Sequence, residues 1–194
     1  GQLQTLSQLS NEQQMLKNIE ANLVQLPPLL KRLNELGLIN SKNKTIRTGL
    51  EKDFPKFRKT VAAKIKPHLF NVKLAVLEGG ENLLPQFNLQ NGLLEYKSAT
   101  NLLIGLLAEG AQANSIDAVK AIESLFITSL GSMATPLSKL QKTSDVPALS
   151  NIFNSLLQLG NKGGATENIF SLRKAELLVM NEATDIMTKT RYIA

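Results

Sequence analysis

His68 is the single histidine of a 194-residue chain that contains no cysteine. A zinc site draws on several such residues at defined spacings, and Ser-His-Asp catalysis on a histidine oriented by an aspartate. The missing cysteine rules out a disulfide framework, thiolate metal ligands and cysteine nucleophiles. A lone histidine beside Pro67 argues against a histidine zinc site or a triad and reads as a packing residue. Gly79-Gly80, Gly160 and Gly163-Gly164 lack the Gly-Lys-Ser/Thr ending of a phosphate loop. Glu176, Glu182 and Asp185 share one helical stretch. A carboxylate-bridged metal site in a bundle wants Glu-x-x-His, and no histidine lies there. These acids read as a solvated face. No catalytic residue, metal site or cofactor is expected.

The arginines and lysines suit binding better than catalysis. A guanidinium can grip a carboxylate with two parallel hydrogen bonds in a seam between helices. Arg32, just after Pro27-Pro28, and Arg173, in the last leucine-rich stretch, are the candidate ligand-binding residues. Against this, Arg173 stands three residues before Glu176, a spacing that pairs them on an exposed helix face. The net charge is +6, and it is concentrated: residues 42–73 carry +8 and the rest −2. At about 100° per residue, Lys52, Lys56, Lys59, Lys66 and Lys73 share one helix face. They form a solvated face or a docking surface for an acidic partner or lipid headgroups. Nucleic acid fits poorly. No recognition-helix motif is present, and Phe54 and Phe57 point away from the lysines, which leaves no interleaved aromatics for base stacking.

Stepping 3 or 4 residues between apolar positions defines the elements that must hold these groups. Leu3, Leu6, Leu9, Leu16, Ile19 and Leu23 predict a first helix. Pro27-Pro28 should interrupt it and open the next, which ends at Gly37, with a loop over 40–44. Ile46, Leu50, Phe54, Phe57, Val61, Ile65, Leu69, Val72 and Val76 form a sustained seam on one long helix that ends at Gly79-Gly80. Pro55 and Pro67 fall away from that seam and should only kink it. Residues 81–92 are ambiguous. Helices follow over 93–109 and 115–130, with residues 110–114 either a break or a continuation, and the chain should loosen over 131–136. Thr143-Ser144-Asp145 before Pro147 reads as a helix cap, and residues 160–164 as a flexible connection. The last helix should start near Thr166 and run to the final residue.

Leucine is abundant, hydrophobic residues make up 43% and charged residues 20%. A sizeable, mainly helical core is therefore expected. The longest apolar stretch, Leu102 to Ala108, is far short of the roughly 20 residues a membrane span needs, and no signal peptide is evident. The first and last helices read as running off both ends of the chain. An extracytoplasmic module set between two membrane spans has that shape, and an arbitrary truncation leaves the same mark.

Two stretches carry a family resemblance. Asn168 to Leu178, Asn-Ile-Phe-Ser-Leu-Arg-Lys-Ala-Glu-Leu-Leu, leads into a long helix. It resembles the return helix of the helical periplasmic sensor of Tor-type histidine kinases, which respond to trimethylamine N-oxide and belong with the helical bimodular ligand-binding domains. Leu103 to Phe126, with Leu-Leu-Ala-Glu-Gly-Ala-Gln-Ala-Asn at 106–114, is similar to the middle of such sensors. The resemblance covers the C-terminal half. It implies an all-α, elongated helical bundle of two stacked four-helix modules sharing long helices, with residues 1–194 as one extracytoplasmic sensor domain. It also implies a homodimer in the periplasmic part of an inner-membrane protein, a small organic ligand or a periplasmic binding protein as partner, and no enzymatic activity in this segment. The alternative is a soluble helical interaction, scaffold or effector protein with the lysine face as its docking surface.

Overall fold

In a helix, apolar residues every three or four positions share one stripe, and that stripe must be buried against another helix. Six helices carry such apolar stripes among the described residues. The structure, a computed structural model, describes residues 2–79, 83–140, 146–160 and 167–193. They form α1 (Gln2–Glu51), α2 (Phe54–Leu77), α3 (Leu83–Gln112), α4 (Ile116–Lys139), α5 (Val146–Gly160) and α6 (Ile169–Ile193). There is no strand among the described residues, and the protein is an all-α helical bundle.

Several boundaries differ from the sequence reading, and proline explains most of them. Pro27 and Pro28 lie inside a continuous 50-residue α1. Proline removes the N–H that would bond the carbonyl four residues earlier. The residues that own those carbonyls, Leu23 and Val24, are exposed, so water can take their place. The same holds for Pro67 in α2 and Pro136 in α4, whose orphaned carbonyls belong to exposed Ala63 and Ser132. The expected loosening over 131–136 is therefore absent. So are the loop over 40–44 and the stop at Gly37, because α1 runs through both.

Pro55 behaves differently. It deprives Glu51, which is half-buried, and the seam splits there into two helices rather than kinking. The last turn of α1 tightens through Lys52 N–H to the Gly49 carbonyl (3.3 Å) and Asp53 N–H to the Leu50 carbonyl (3.2 Å). Pro55 then occupies the first turn of α2, where an N–H is not needed. Gly79, at φ 66°, ends α2 in the left-handed conformation glycine adopts without strain. Gly80, the Thr143–Asp145 cap and Thr166 lie outside the described residues. α6 instead starts at Ile169, behind a reciprocal cap. The Ser171 N–H donates to Asn168 Oδ1 (2.8 Å), and the Asn168 N–H donates to Ser171 Oγ (3.0 Å).

The chain divides into two compact units. Unit 1 comprises residues 1–42 and 178–194, and therefore holds segments of two helices, α1 and α6. Unit 2 comprises residues 43–177 and contains α2, α3, α4 and α5 with the remaining turns of α1 and α6. The seam of α2 does its expected work, burying Phe54, Val61, Ile65 and Val72. Tyr96 on α3 is fully buried, and its hydroxyl donates to the Leu149 carbonyl of α5 at 2.6 Å. Burial raises that phenol above its ordinary pKa, so it stays a neutral donor.

Two rings set how closely the helices of unit 2 approach. Phe126 of α4 and Phe170 of α6 meet edge to face, with centroids 5.5 Å apart. Each ring also rests on a glycine. A methyl group built on Gly110 of α3 would stand 2.3 Å from the Phe170 ring, and one on Gly160 of α5 would stand 2.3 Å from Phe126. Gly105, also in α3, has open space around it. We predict that Gly110→Ala and Gly160→Ala each destabilise the protein by about 1–3 kcal/mol through overpacking. That loss comes despite alanine's better helix propensity, which lets Gly105→Ala stabilise by roughly 0.5–1 kcal/mol. Urea unfolding followed by circular dichroism checks both signs.

Candidate functional site

The polar centre of unit 2 is a cluster of charges inside a leucine-rich core. α1 brings Arg47 and Glu51 to one face in its last turn, since residues four apart are helix neighbours. α6 brings Arg173 and Glu176 in the same way, three apart. Arg47 and Glu176 are buried, at 4% and 2% exposure. The Arg47 guanidinium grips the Glu176 carboxylate with two parallel bonds, Nε to Oε1 at 2.7 Å and Nη2 to Oε2 at 3.2 Å. Its Nη1 donates to Glu51 Oε1. From the other side, Arg173 Nη1 donates to Glu176 Oε2 at 2.8 Å. Arg173 Nε donates to the Ala113 carbonyl at the same distance, in the corner between α3 and α4. The next residue, Lys174, reaches Glu123 Oε2 of α4 through its Nζ at 2.8 Å.

Burial by itself lowers the Arg47 pKa, but the hydrogen bonds and charge of Glu176, and then of Glu51, outweigh it and raise the value. Arg47 thus stays charged. Two arginines face two glutamates, so the cluster is neutral, as a buried ionic group must nearly be. It ties three places together: the end of α1, the first turns of α6 and the α3–α4 corner.

The sequence-derived candidates fall in different settings. Arg173 belongs to this cluster and pairs with Glu176 at the expected spacing. The expectation that Glu176 lies on a solvated face is corrected, because Glu176 is buried between two guanidiniums. Glu182 and Asp185 are exposed. Arg32 lies in unit 1, where its Nε and Nη2 donate to Glu182 Oε1 (2.8 Å) and Oε2 (3.1 Å). Hydrogen bonding from Arg32 lowers the Glu182 pKa, and the same pair raises that of Arg32. Both side chains remain about 45% exposed, so this is a solvent-screened pair. Lys52, Lys56, Lys59, Lys66 and Lys73 are all exposed, and Lys56 Nζ pairs with Asp53 Oδ1 at 2.7 Å. His68 is half-buried. No group of three His, Cys, Asp or Glu among the described residues could hold a metal ion.

Arg47 was missed in the sequence. It lies in the stretch counted toward the basic excess, and its spacing to Glu51 is the one signal that marked it. Phe70 was missed as well, as an exposed aromatic on the same helix as the lysines.

Grooves open among the described residues of each unit. In unit 2, α3 and α4 enclose an open groove of about 530 Å3, lined by Glu95, Ser98, Ala99, Leu102, Ser132 and Thr135. In unit 1, α1 and α6 flank an apolar groove of about 260 Å3 beside Leu33, Leu36, Met180 and Ala183. Comparison with known protein families, curated proteins and solved structures yields no match. Among the described residues no helix is long and apolar enough to cross a membrane.

Removing one partner of a buried pair strands the other charge, whereas removing both leaves a cavity that apolar side chains can fill. Arg47→Met and Glu176→Leu should therefore each cost about 3–5 kcal/mol, and the double variant far less than their sum. A double-mutant cycle by urea denaturation measures the difference.

Proposed function

We infer that this chain is a sensory module of a membrane-bound signalling protein, in which a ligand or partner biases the packing of a helical bundle. The observation that supports this reading best is the Arg47–Glu176–Arg173–Ala113 network. It couples the α3–α4 corner to α1 and α6 through rigid, paired groups. A change in packing at the corner moves Arg173, and with it the carboxylate that Arg47 holds. α1 and α6 then carry the displacement along their own axes as a small piston, tilt or rotation. A coupling of about 1–3 kcal/mol is enough for useful signalling. The parent is a sensor histidine kinase in this reading, the module is periplasmic, and the segment itself catalyses nothing.

A homodimer belongs to the same proposal. In α1, Leu16, Ile19, Leu23 and Leu30 are more than half exposed, and their spacing is that of a coiled-coil seam. Unit 1 holds two helical segments, too few to cover such a seam. A second copy would supply two more and complete four. The exposed lysines of α2 favour a second reading, a soluble interaction protein that docks an acidic partner.

Three measurements test the proposal. The full-length protein should carry apolar stretches of roughly 20 residues and sediment with membranes; a fully soluble full-length protein sinks it. Leu23→Glu with Leu30→Glu should convert a dimer to a folded monomer in analytical ultracentrifugation. In a thermal-shift screen of organic acids, amines and amine oxides, a direct ligand at a hundred times its Kd adds about 2.7 kcal/mol, which raises Tm by roughly 5–10 °C. A flat screen points to a protein partner instead.

A further inference from the structure

The outward face of α2 carries more than charge. Its lysines at 56, 59, 66 and 73 follow steps of three or seven, so they run in one line along the helix, and Lys52 stands in the turn just before it. The same line contains Phe70 and continues through Leu74 to Leu77. These three are 61%, 40% and 82% exposed, although the inner seam of the same helix is packed into the core. A helix that carries a second stripe at this spacing, opposite its buried one, has two contact faces. The outer one is basic over most of its length and apolar at its C-terminal end. Leu84 and Phe87, a few residues on in α3, are exposed too.

We propose that this outer stripe docks a protein partner through an amphipathic helix whose acidic residues face the lysines and whose apolar end covers Phe70 and Leu77. Charge complementarity selects an acidic surface over a second copy, since two such lysine stripes would repel. The spacing selects a helix: side chains at helical spacing along about 32 Å of axis, from Lys56 to Leu77, match the ridges of another helix. An anionic bilayer fits less well. An interfacial helix lays its apolar face into the lipid, and the long apolar face of α2 is already buried in unit 2. The apolar end supplies the anchor and the lysines supply register and rate, the usual division at such interfaces. This inference stands apart from the sensory reading, because a soluble interaction protein would use the surface in the same way.

The test is photo-cross-linking in the native cell with the full-length protein. p-Benzoylphenylalanine replaces Phe70, and exposed Asn151 on α5 serves as the control position. The expected result is an adduct specific to position 70 whose partner peptide, mapped by mass spectrometry, lies on a helix with Glu or Asp at three- and four-residue spacing. Lys59→Glu with Lys66→Glu should reduce that adduct roughly tenfold, and so should Leu77→Ser, with circular dichroism unchanged. Adducts with lipid or with a second copy, or labelling no stronger than at position 151, overturn the proposal. So does an adduct that survives Leu77→Ser undiminished, because bare electrostatic attraction would then account for it. Failure of the sensory reading shows up in membrane fractionation and leaves this outcome untouched.

Discussion

A carboxylate and a guanidinium buried in a leucine core leave a bundle few choices of register. Leucine contacts vary smoothly as helices slide, so a core of leucines alone tolerates neighbouring alignments. The Arg47–Glu176 pair does not. Sliding α6 by one turn displaces Glu176 by about 5.4 Å. That breaks both bonds to Arg47 and leaves two charges in a site that cannot solvate them. The pair therefore acts as an index for the end of α1 against the start of α6. The rest of unit 2 must be compatible with that index, including the bond from Arg173 to the Ala113 carbonyl. The pair's contribution to net stability is a separate matter, because desolvation consumes much of its Coulomb energy.

The aromatic contacts impose the second constraint, on distance rather than register. Phe126 and Phe170 touch each other, and each lies on a glycine of a different helix. α3, α4, α5 and α6 are thus drawn together around two rings with no room for a β-carbon on the facing backbone. Gly110 precedes the α3–α4 corner, and Phe170 opens α6 three residues before Arg173. The close-packed aromatic contact and the charged cluster therefore share one region of the fold, and a shift in either is felt by the other.

Fold class and the inner face of α2 were legible because they depend on periodicity, whereas the stripe of Leu16, Ile19 and Leu23 on α1, equally periodic, is exposed. The seam from Ile46 to Val76 predicted which side of α2 is buried, and the lysines opposite it are exposed as expected. Helix ends were less legible because proline carries two meanings. Whether Pro27 or Pro67 breaks a helix depends on whether water reaches the carbonyl four residues earlier, and that is a property of the folded surface. Pro55 breaks the seam where Glu51 is half-buried and engaged by Arg47. The charged cluster was legible only in part. Arg173 and Glu176 are local in sequence, so helical spacing pairs them. Arg47 lies 129 residues from Glu176, and nothing short of the tertiary fold joins them. Phe70 lies off the inner apolar seam, among lysines at the same spacing, so apolar periodicity alone does not mark it.

The two kinds of contact suggest why the polar ones sit where they do. Within unit 2, α3 and α4 pack against each other along most of their length, burying Leu103, Leu107, Val119, Phe126 and Leu130. α6 buries Ile169, Phe170, Leu172 and Leu177 in the same core and adds discrete charged links: Glu176 to Arg47, Arg173 to Ala113, Lys174 to Glu123. Apolar packing of that extent is strong and non-directional. Charge-assisted bonds are directional and are either made or lost within about an ångström. A helix held by such bonds occupies one of a few discrete positions rather than a continuum. Discrete alternatives are what a two-state device requires, since a continuously deformable contact would dissipate a small displacement instead of transmitting it. In this bundle the apolar core fixes how closely the helices pack, and the charged links fix which register α6 takes within it.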